Sequence, residues 1–191
     1  MGRNKKKIIL AVILVAVLVA AYFMFFGKSE ETKPTAGKQE NVQSVEIGEY
    51  ITFGQYEQDG DETNGKEDVE WLVLDKQDGK VLVISRYALD CMPYHKTTED
   101  VTWETGAVRA YLNNTFTDEA FSADEKNKIQ TVTVEAHENP CKEPYHESTP
   151  GNATKDKVFL LSITEVETYL KADERSVVPT EYAKARVRGQ T

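Results

Sequence analysis

Cysteine and histidine side chains occur close together at two places in this sequence. Cys91 is followed by His95, and Cys141 is followed by His146. Two thiolates and two imidazoles are a common ligand set for tetrahedral zinc, so these residues form one candidate metal site. A disulfide between Cys91 and Cys141 is the second interpretation, because an even number of cysteines outside the cell favours a bridge. Two separate thiols are the third, and the spacing leaves all three open.

An acidic segment contains a second candidate site. Asp59, Asp61 and Thr63 alternate along it, and Glu70 follows. Carboxylate oxygens in such a pattern are ligands that calcium prefers, but the sixth position of this loop is Asn64, where an EF-hand loop needs glycine. We therefore expect an ordinary hydrophilic turn, with a weak calcium site formed by Asp59, Asp61 and Glu70 as the alternative.

The sequence contains no recognised catalytic motif. Neither Gly-x-Ser-x-Gly nor His-Glu-x-x-His is present. Residues 60–66 have the spacing of a phosphate-binding loop, but Glu67 stands where that loop needs Ser or Thr. Three aromatic residues could stack on sugars, yet their alternating and helical spacing is more typical of a core. They are Trp71, Trp103 and Tyr111. We therefore expect no catalytic residue, no cofactor and no enzymatic activity.

Strands are predicted after the acidic segment. Runs at 69–74 and 81–84 are rich in β-branched residues, and they enclose Asp78-Gly79, a pair that favours a tight hairpin turn. We expect an antiparallel hairpin here. Shorter strands are predicted at 46–54, 131–134 and 158–163.

Helices are predicted between these strands. Apolar residues recur every four positions after Thr102, which predicts a helix over 103–116. Capping boxes at 122–125 and 164–167 each predict a short helix. A last helix is expected over 181–187, with Thr180 as its capping residue. Helices inserted between antiparallel strands indicate an α+β fold.

An unbroken apolar run occupies residues 8–26, with no charge, proline or glycine. In helical form it would extend over roughly 28 Å, close to the hydrocarbon thickness of a bilayer. We therefore predict a single transmembrane helix that acts as a signal anchor. A cleaved secretory signal is the alternative, but the run is long for one and bulky residues at 22–26 occupy the place of a cleavage site.

The charges beside this run predict its orientation. Basic residues lie within 1–7, and the first acidic residue is Glu30. The positive-inside rule therefore places residues 1–7 in the cytoplasm. Residues 27–45 are mostly polar and are expected to form a flexible linker. Residues 46–191 are then the extracellular domain of a single-pass protein of the cell membrane.

The composition restricts the partners. The chain has 32 acidic and 23 basic residues among its 191, a formal net charge of −9. This balance argues against nucleic acid as a partner. The expected partners are the lipid bilayer, contacted by residues 8–26, and an extracellular glycan or protein.

A series of short segments resembles one known family. They lie at 50–54, 56–59, 64–67, 70–74, 84–91, 101–104, 111–116, 120–122, 139–140, 156–162 and 180–183. These segments resemble the domain-of-unknown-function 6273 family, which occurs on exported and membrane-anchored proteins of Gram-positive bacteria. The resemblance implies a C-type-lectin-like or formylglycine-generating-enzyme-like fold and no established reaction. It also implies that a C-terminal part of the domain, with a Trp-Trp-Leu-Arg-Ser-Pro-Gly segment, is missing.

These features together favour an α+β protein in which one N-terminal transmembrane helix precedes a C-type-lectin-like domain of antiparallel strands and short helices. Its expected function is that of a non-catalytic binding or interaction module at the bacterial cell surface. An enzyme acting on envelope or secreted substrates is one alternative, and a truncated, inactive remnant is another.

Overall fold

The computed structural model describes residues 14–16, 20–24, 45–138, 140 and 149–188. The strands are β1 (Leu14–Ala16), β2 (Ala20–Met24), β3 (Tyr50–Tyr56), β4 (Glu67–Gln77), β5 (Lys80–Ser85), β6 (Cys91–Pro93), β7 (Val132–Val134), β8 (Thr154–Asp156) and β9 (Val158–Phe159). The helices are α1 (Ala107–Tyr111), α2 (Thr117–Ala120), α3 (Ala123–Lys128), α4 (Ile163–Tyr169) and α5 (Glu181–Arg188). A π-helical turn at Leu112–Phe116 joins α1 to α2, and a 3₁₀ turn lies at Ala172–Glu174.

The main sheet has five strands in the order β3-β4-β5-β2-β9, and neighbouring strands are antiparallel. Two smaller antiparallel ladders pair β1 with β6 and β7 with β8. The predicted α+β class with antiparallel strands is therefore confirmed.

The hairpin of β4 and β5 forms at the predicted turn. Asp78 has a φ of 51° and Gly79 a φ of 72°. Both residues thus adopt the left-handed conformation that a type I′ turn requires, and Asp-Gly tolerates it at low cost.

The main sheet is apolar on both faces. Along β5, Val81 and Val83 belong to one core cluster, whereas Leu82 and Ile84 belong to another. The first cluster includes Leu112 and other residues of the helical segment between β6 and β7, and the second lies on the α4 side of the sheet. The alternation follows from the period of two along a strand.

The prediction of a transmembrane helix over 8–26 is wrong. The parts of this run that the structure describes are strands β1 and β2, and β2 pairs with β5 on one side and β9 on the other. Among the described residues, no helix is both long and apolar enough to cross a bilayer. A strand buried on both faces is as continuously apolar as a membrane helix, so hydropathy alone did not distinguish the two.

The rest of that run lies outside the described residues, as do the predicted cytoplasmic segment 1–7 and most of the predicted linker 27–45.

Two helix predictions need a shift in position. The helix predicted over 103–116 begins only at Ala107, after Gly106 donates from its backbone N–H to the carbonyl of Thr102, and its helical path continues to Ala120. The capping box that starts α4 uses Ser162, two residues earlier than predicted. The cap of α5 was predicted correctly, because the N–H of Ala183 donates to Oγ1 of Thr180 over 3.1 Å.

Candidate functional site

A groove of about 980 Å³ lies on one face of the main sheet, beside α4. Leu72, Leu74 and Ile84 from β4 and β5 line it on the sheet side, and Val166 and Leu170 line it on the helix side. These residues belong to the second core cluster, in which Leu72 and Val166 are only partly buried. The cluster therefore leaves apolar surface open to a ligand.

A complete capping box defines the start of α4 beside the groove. The N–H of Glu165 donates to Oγ of Ser162 over 3.2 Å, and the N–H of Ser162 donates to Oε2 of Glu165 over 2.7 Å. Such reciprocal bonds satisfy donors that a helix start leaves unpaired. Beyond the helix, Nε of Arg175 donates to the carbonyl of Leu170 over 3.1 Å, which holds the following turn beside the groove.

The groove lining includes an aromatic and a cationic group. The guanidinium carbon of Arg86 lies 4.9 Å from the centre of the Tyr50 ring and 5.3 Å from that of Tyr87. Nη1 of Arg86 also donates to Oε2 of Glu70 over 2.8 Å, and this bond raises the pKa of Arg86. Tyr50 is 48% exposed, so its ring, which Arg86 holds in place, faces solvent.

Charged residues after α4 also line the groove. Lys171 and Glu174 form an ion pair at 3.6 Å, and Arg175 lies beside them. An apolar floor with a few polar groups at the edge is the usual composition of a ligand site. The arrangement can therefore bind a ligand that has both apolar and polar groups.

The sequence did not point to this groove. Arg86 directly follows β5, and Tyr50 opens β3. Both lie in segments that suggested the family resemblance, 84–91 and 50–54, but neither segment indicated a ligand site. The groove requires α4 to lie beside β4 and β5, and that contact joins residues about 80 positions apart.

The second arrangement is a buried hydrogen-bond network around Asp90, which is 0% exposed. The hydroxyls of Tyr111 and Tyr56 donate to Oδ2 of Asp90 over 2.6 Å and 3.2 Å, and the N–H of Cys91 donates to Oδ1 over 2.6 Å. Nε of Arg186 lies 2.5 Å from Oδ1. The network joins four separate elements, and its role is to hold α5 against the first core.

Burial and the neighbouring Asp90 raise the pKa values of two tyrosines in this network. For both Tyr56 and Tyr111 burial is the larger cause, and Asp90 adds to it through its charge and through its bond to Tyr111. Both hydroxyls therefore stay protonated and act as donors to the carboxylate.

The predicted cysteine and histidine set is only partly described. Cys91 begins β6 and is 4% exposed, and burial raises the pKa of its thiol. Nε2 of His95 lies 3.1 Å from the Glu99 carboxylate. Cys141 and His146 lie outside the described residues, so the zinc site, the disulfide and the separate thiols all stay predictions.

The predicted calcium residues do not come together as a set. Oδ1 of Asp61 accepts bonds from the N–H and hydroxyl of Thr63, and Glu70 is paired with Arg86. Only Asp59 lies in a carboxylate cluster, and its partners there are two residues that were not predicted.

The carboxylate cluster consists of Glu57, Asp59 and Glu67. Carboxylate oxygens of these three residues lie within 4.8 Å of one another. They meet because Tyr56 at the end of β3 pairs with Glu67 at the start of β4. Burial raises the pKa of Glu57, while the bond from Asn64 lowers that of Asp59. The pairing of the two strands, rather than the spacing within the loop, determines which carboxylates are neighbours.

The aromatic residues considered as sugar platforms lie in the core or pack against it. Trp71 is 0% exposed and donates from Nε1 to the carbonyl of Phe53 over 2.7 Å. Nε1 of Trp103 donates to Oδ2 of Asp156 over 3.0 Å, and Tyr111 belongs to the Asp90 network. The interpretation as core is confirmed for Trp71, whereas Trp103 and Tyr111 are partly buried and pack against the core clusters.

Comparison with known proteins yields one family. Its sequence pattern matches residues 78–187, which is more than half of the chain and extends from the β4–β5 turn through most of α5. The earlier segments that suggested the resemblance, which lie between 50 and 74, are outside the match. No curated protein and no solved structure matches the chain. The chain therefore belongs to the family described as domain of unknown function (DUF6273).

Proposed function

We propose that this protein is a non-catalytic binding module and that the groove between α4 and the sheet holds its ligand. The observation that carries the proposal is the open apolar floor of the groove beside the half-exposed ring of Tyr50. Tyrosine next to arginine provides a large contact area that is already ordered before a ligand arrives, since Arg86 holds the ring by a cation–π contact.

The floor favours a protein or peptide ligand over a glycan. Leu72, Leu161 and Val166 are aliphatic and partly exposed within the groove. Sugars need many hydrogen-bond partners. An aliphatic surface instead favours the apolar side chains of a peptide, because contact between them removes both from water. Two arginines of the lining, Arg86 and Arg175, would then orient the peptide through its carbonyl or carboxylate groups.

The state of Cys91 supports a binding role over covalent catalysis. A reactive cysteine needs an accessible thiol of lowered pKa. The Cys91 thiol is buried and its pKa is raised. Reproducible substrate turnover that a change of Cys91 or His95 abolishes would favour the alternative of an enzyme.

The experiment is a selection of displayed peptides on the full chain, followed by fluorescence anisotropy with the selected peptide. Tyr50→Ala should weaken binding about tenfold or more, which corresponds to about 1.4 kcal/mol for an interface anchor. The matched control is Val178→Ser, because Val178 is 62% exposed and does not line the groove. Absence of saturable binding, or equal loss in both variants, would refute the proposal.

The extracellular location and the bacterial cell surface stay predictions of the sequence.

A further inference from the structure

Strand β2 occupies the interior of the main sheet although it comes from a distant part of the chain. It pairs with β5 at five positions, from Ala20↔Ile84 to Met24↔Lys80, and with β9 at two. We call the space between β5 and β9 the slot. In the described part of the chain, only β2 bridges these two strands within the sheet.

The slot restricts which strand can fill it. Ala21 of β2 pairs with Val83 on one side and with Val158 on the other, and all three residues are 0% exposed. Without β2, both neighbouring strands would present unpaired backbone groups and apolar side chains. An occupant must therefore be extended, apolar and small at the central position.

The chain that connects β2 to the domain is long. Residues 25–44 separate Met24 from the first described residue that follows, Val45. A chain of this length reaches up to about 70 Å when fully extended. That reach exceeds the thickness of a small domain, so a strand on this connection can reach the slot of a neighbouring molecule.

We propose that the slot is a site of strand exchange, in which residues 20–24 of one copy fill the slot of a second copy. The second copy is the fitting partner because it carries the same strand, with alanine at the position that must be small. Every contact of the closed monomer is preserved in the exchanged pair, and such swaps are a low-cost route to dimers. Exchange therefore depends on protein concentration.

Two single variants of the full chain test this directly. One carries Ala21→Cys and the other Val83→Cys, and the two are unfolded together, refolded and oxidised. Paired Cα atoms in an antiparallel ladder are about 4.5–5.5 Å apart, within the reach of a disulfide. A disulfide joining positions 21 and 83 can arise only between molecules in this mixture, and mass spectrometry of the digested protein distinguishes it from bonds of Cys91 and Cys141.

We expect the bond between positions 21 and 83, in a yield that rises with total protein concentration. A mixture of Ala21→Cys with Asp124→Cys on exposed α3 is the matched control and should give none. The double variant Ala21→Cys/Val83→Cys shows whether the geometry permits the bond within one chain.

The neighbouring pair Tyr22 and Leu82 provides a second version of the same test, because successive pairs alternate between the two ladder geometries. Bonds within double variants but none between single variants would overturn strand exchange. Failure of both double variants to form the bond would overturn the placement of β2 in the slot, and the proposal with it.

Discussion

Nε of Arg186 lies 2.5 Å from Oδ1 of Asp90, and this contact ties the last described helix to the residue that precedes β6. The Asp90 side chain is fully buried, whereas that of Arg186 is 40% exposed. The acidic partner is therefore fixed in the interior, and the basic partner extends to it from the surface.

Removal of the arginine should destabilise the domain. Arg186→Met leaves the Asp90 carboxylate buried with only its neutral donors, and loss of a charged partner at such a site costs about 2–3 kcal/mol. Urea unfolding followed by circular dichroism measures the change. Lys184→Met is the matched control on the same helix, because its pair with Glu181 is exposed and should contribute less than about 1 kcal/mol. Equal effects of the two variants would contradict a special role for Asp90.

The two tyrosines of the network should make the fold sensitive to alkali. Their pKa values are raised in the folded state, so the unfolded chain loses these protons first as the pH rises through about 10. Their stabilising contribution is complete below that pH. Above it, the free energy of unfolding should fall by up to about 1.4 kcal/mol per pH unit for each tyrosine.

Urea unfolding between pH 8 and about 11 measures this slope, which should be smaller in Tyr111→Phe. Tyr50→Phe serves as the control, because its ring is 48% exposed and lies outside the network. A slope that Tyr111→Phe leaves unchanged would show that this residue is not a source of the alkaline sensitivity.

Substitutions at the start of α4 test which residue caps the helix. The sequence predicted Thr164, and the structure has Ser162. Ser162→Ala should cost about 1 kcal/mol, because it removes the side-chain oxygen that accepts from the N–H of Glu165. Thr164→Ala should be close to neutral, since Thr164 already lies inside the helix. Thermal unfolding of both variants is sufficient, and a larger loss for Thr164→Ala would favour the box at 164–167 instead.

Gly54 in β3 should be intolerant of a side chain. It has a φ of +73°, and an added Cβ would lie 2.6 Å from the Phe121 ring. Conformational strain and the clash together should cost Gly54→Ala about 2–4 kcal/mol in urea unfolding. Gly48→Ala isolates the strain, because Gly48 has a φ of +91° with no atom within 4 Å of an added Cβ. If the two variants lose the same stability, the clash with Phe121 does not contribute to the loss in Gly54→Ala.

Local signals in the sequence were sufficient for several elements. Asp78-Gly79 determined the hairpin, Ser122 with Glu125 determined the start of α3, and Thr180 determined the start of α5. In each case the atoms that decide the structure lie within a few residues of one another, so the sequence alone contains the necessary geometry.

Features that depend on distant contacts were not accessible in this way. The apolar run at 8–26 satisfied the criteria for a membrane helix, and only pairing with β5 and β9 distinguishes β2 as an interior strand. The carboxylate neighbours of Asp59 depended on the register between β3 and β4.

The sequence by itself determined the α+β class, the family and the local turns and caps, because these depend on composition and on short-range bonds. The tertiary structure alone decided which apolar strand fills the slot, which residues line the groove and which cation meets Asp90. Those features bring together residues separated by tens of positions, and their partners are selected by packing and strand register rather than by neighbouring sequence.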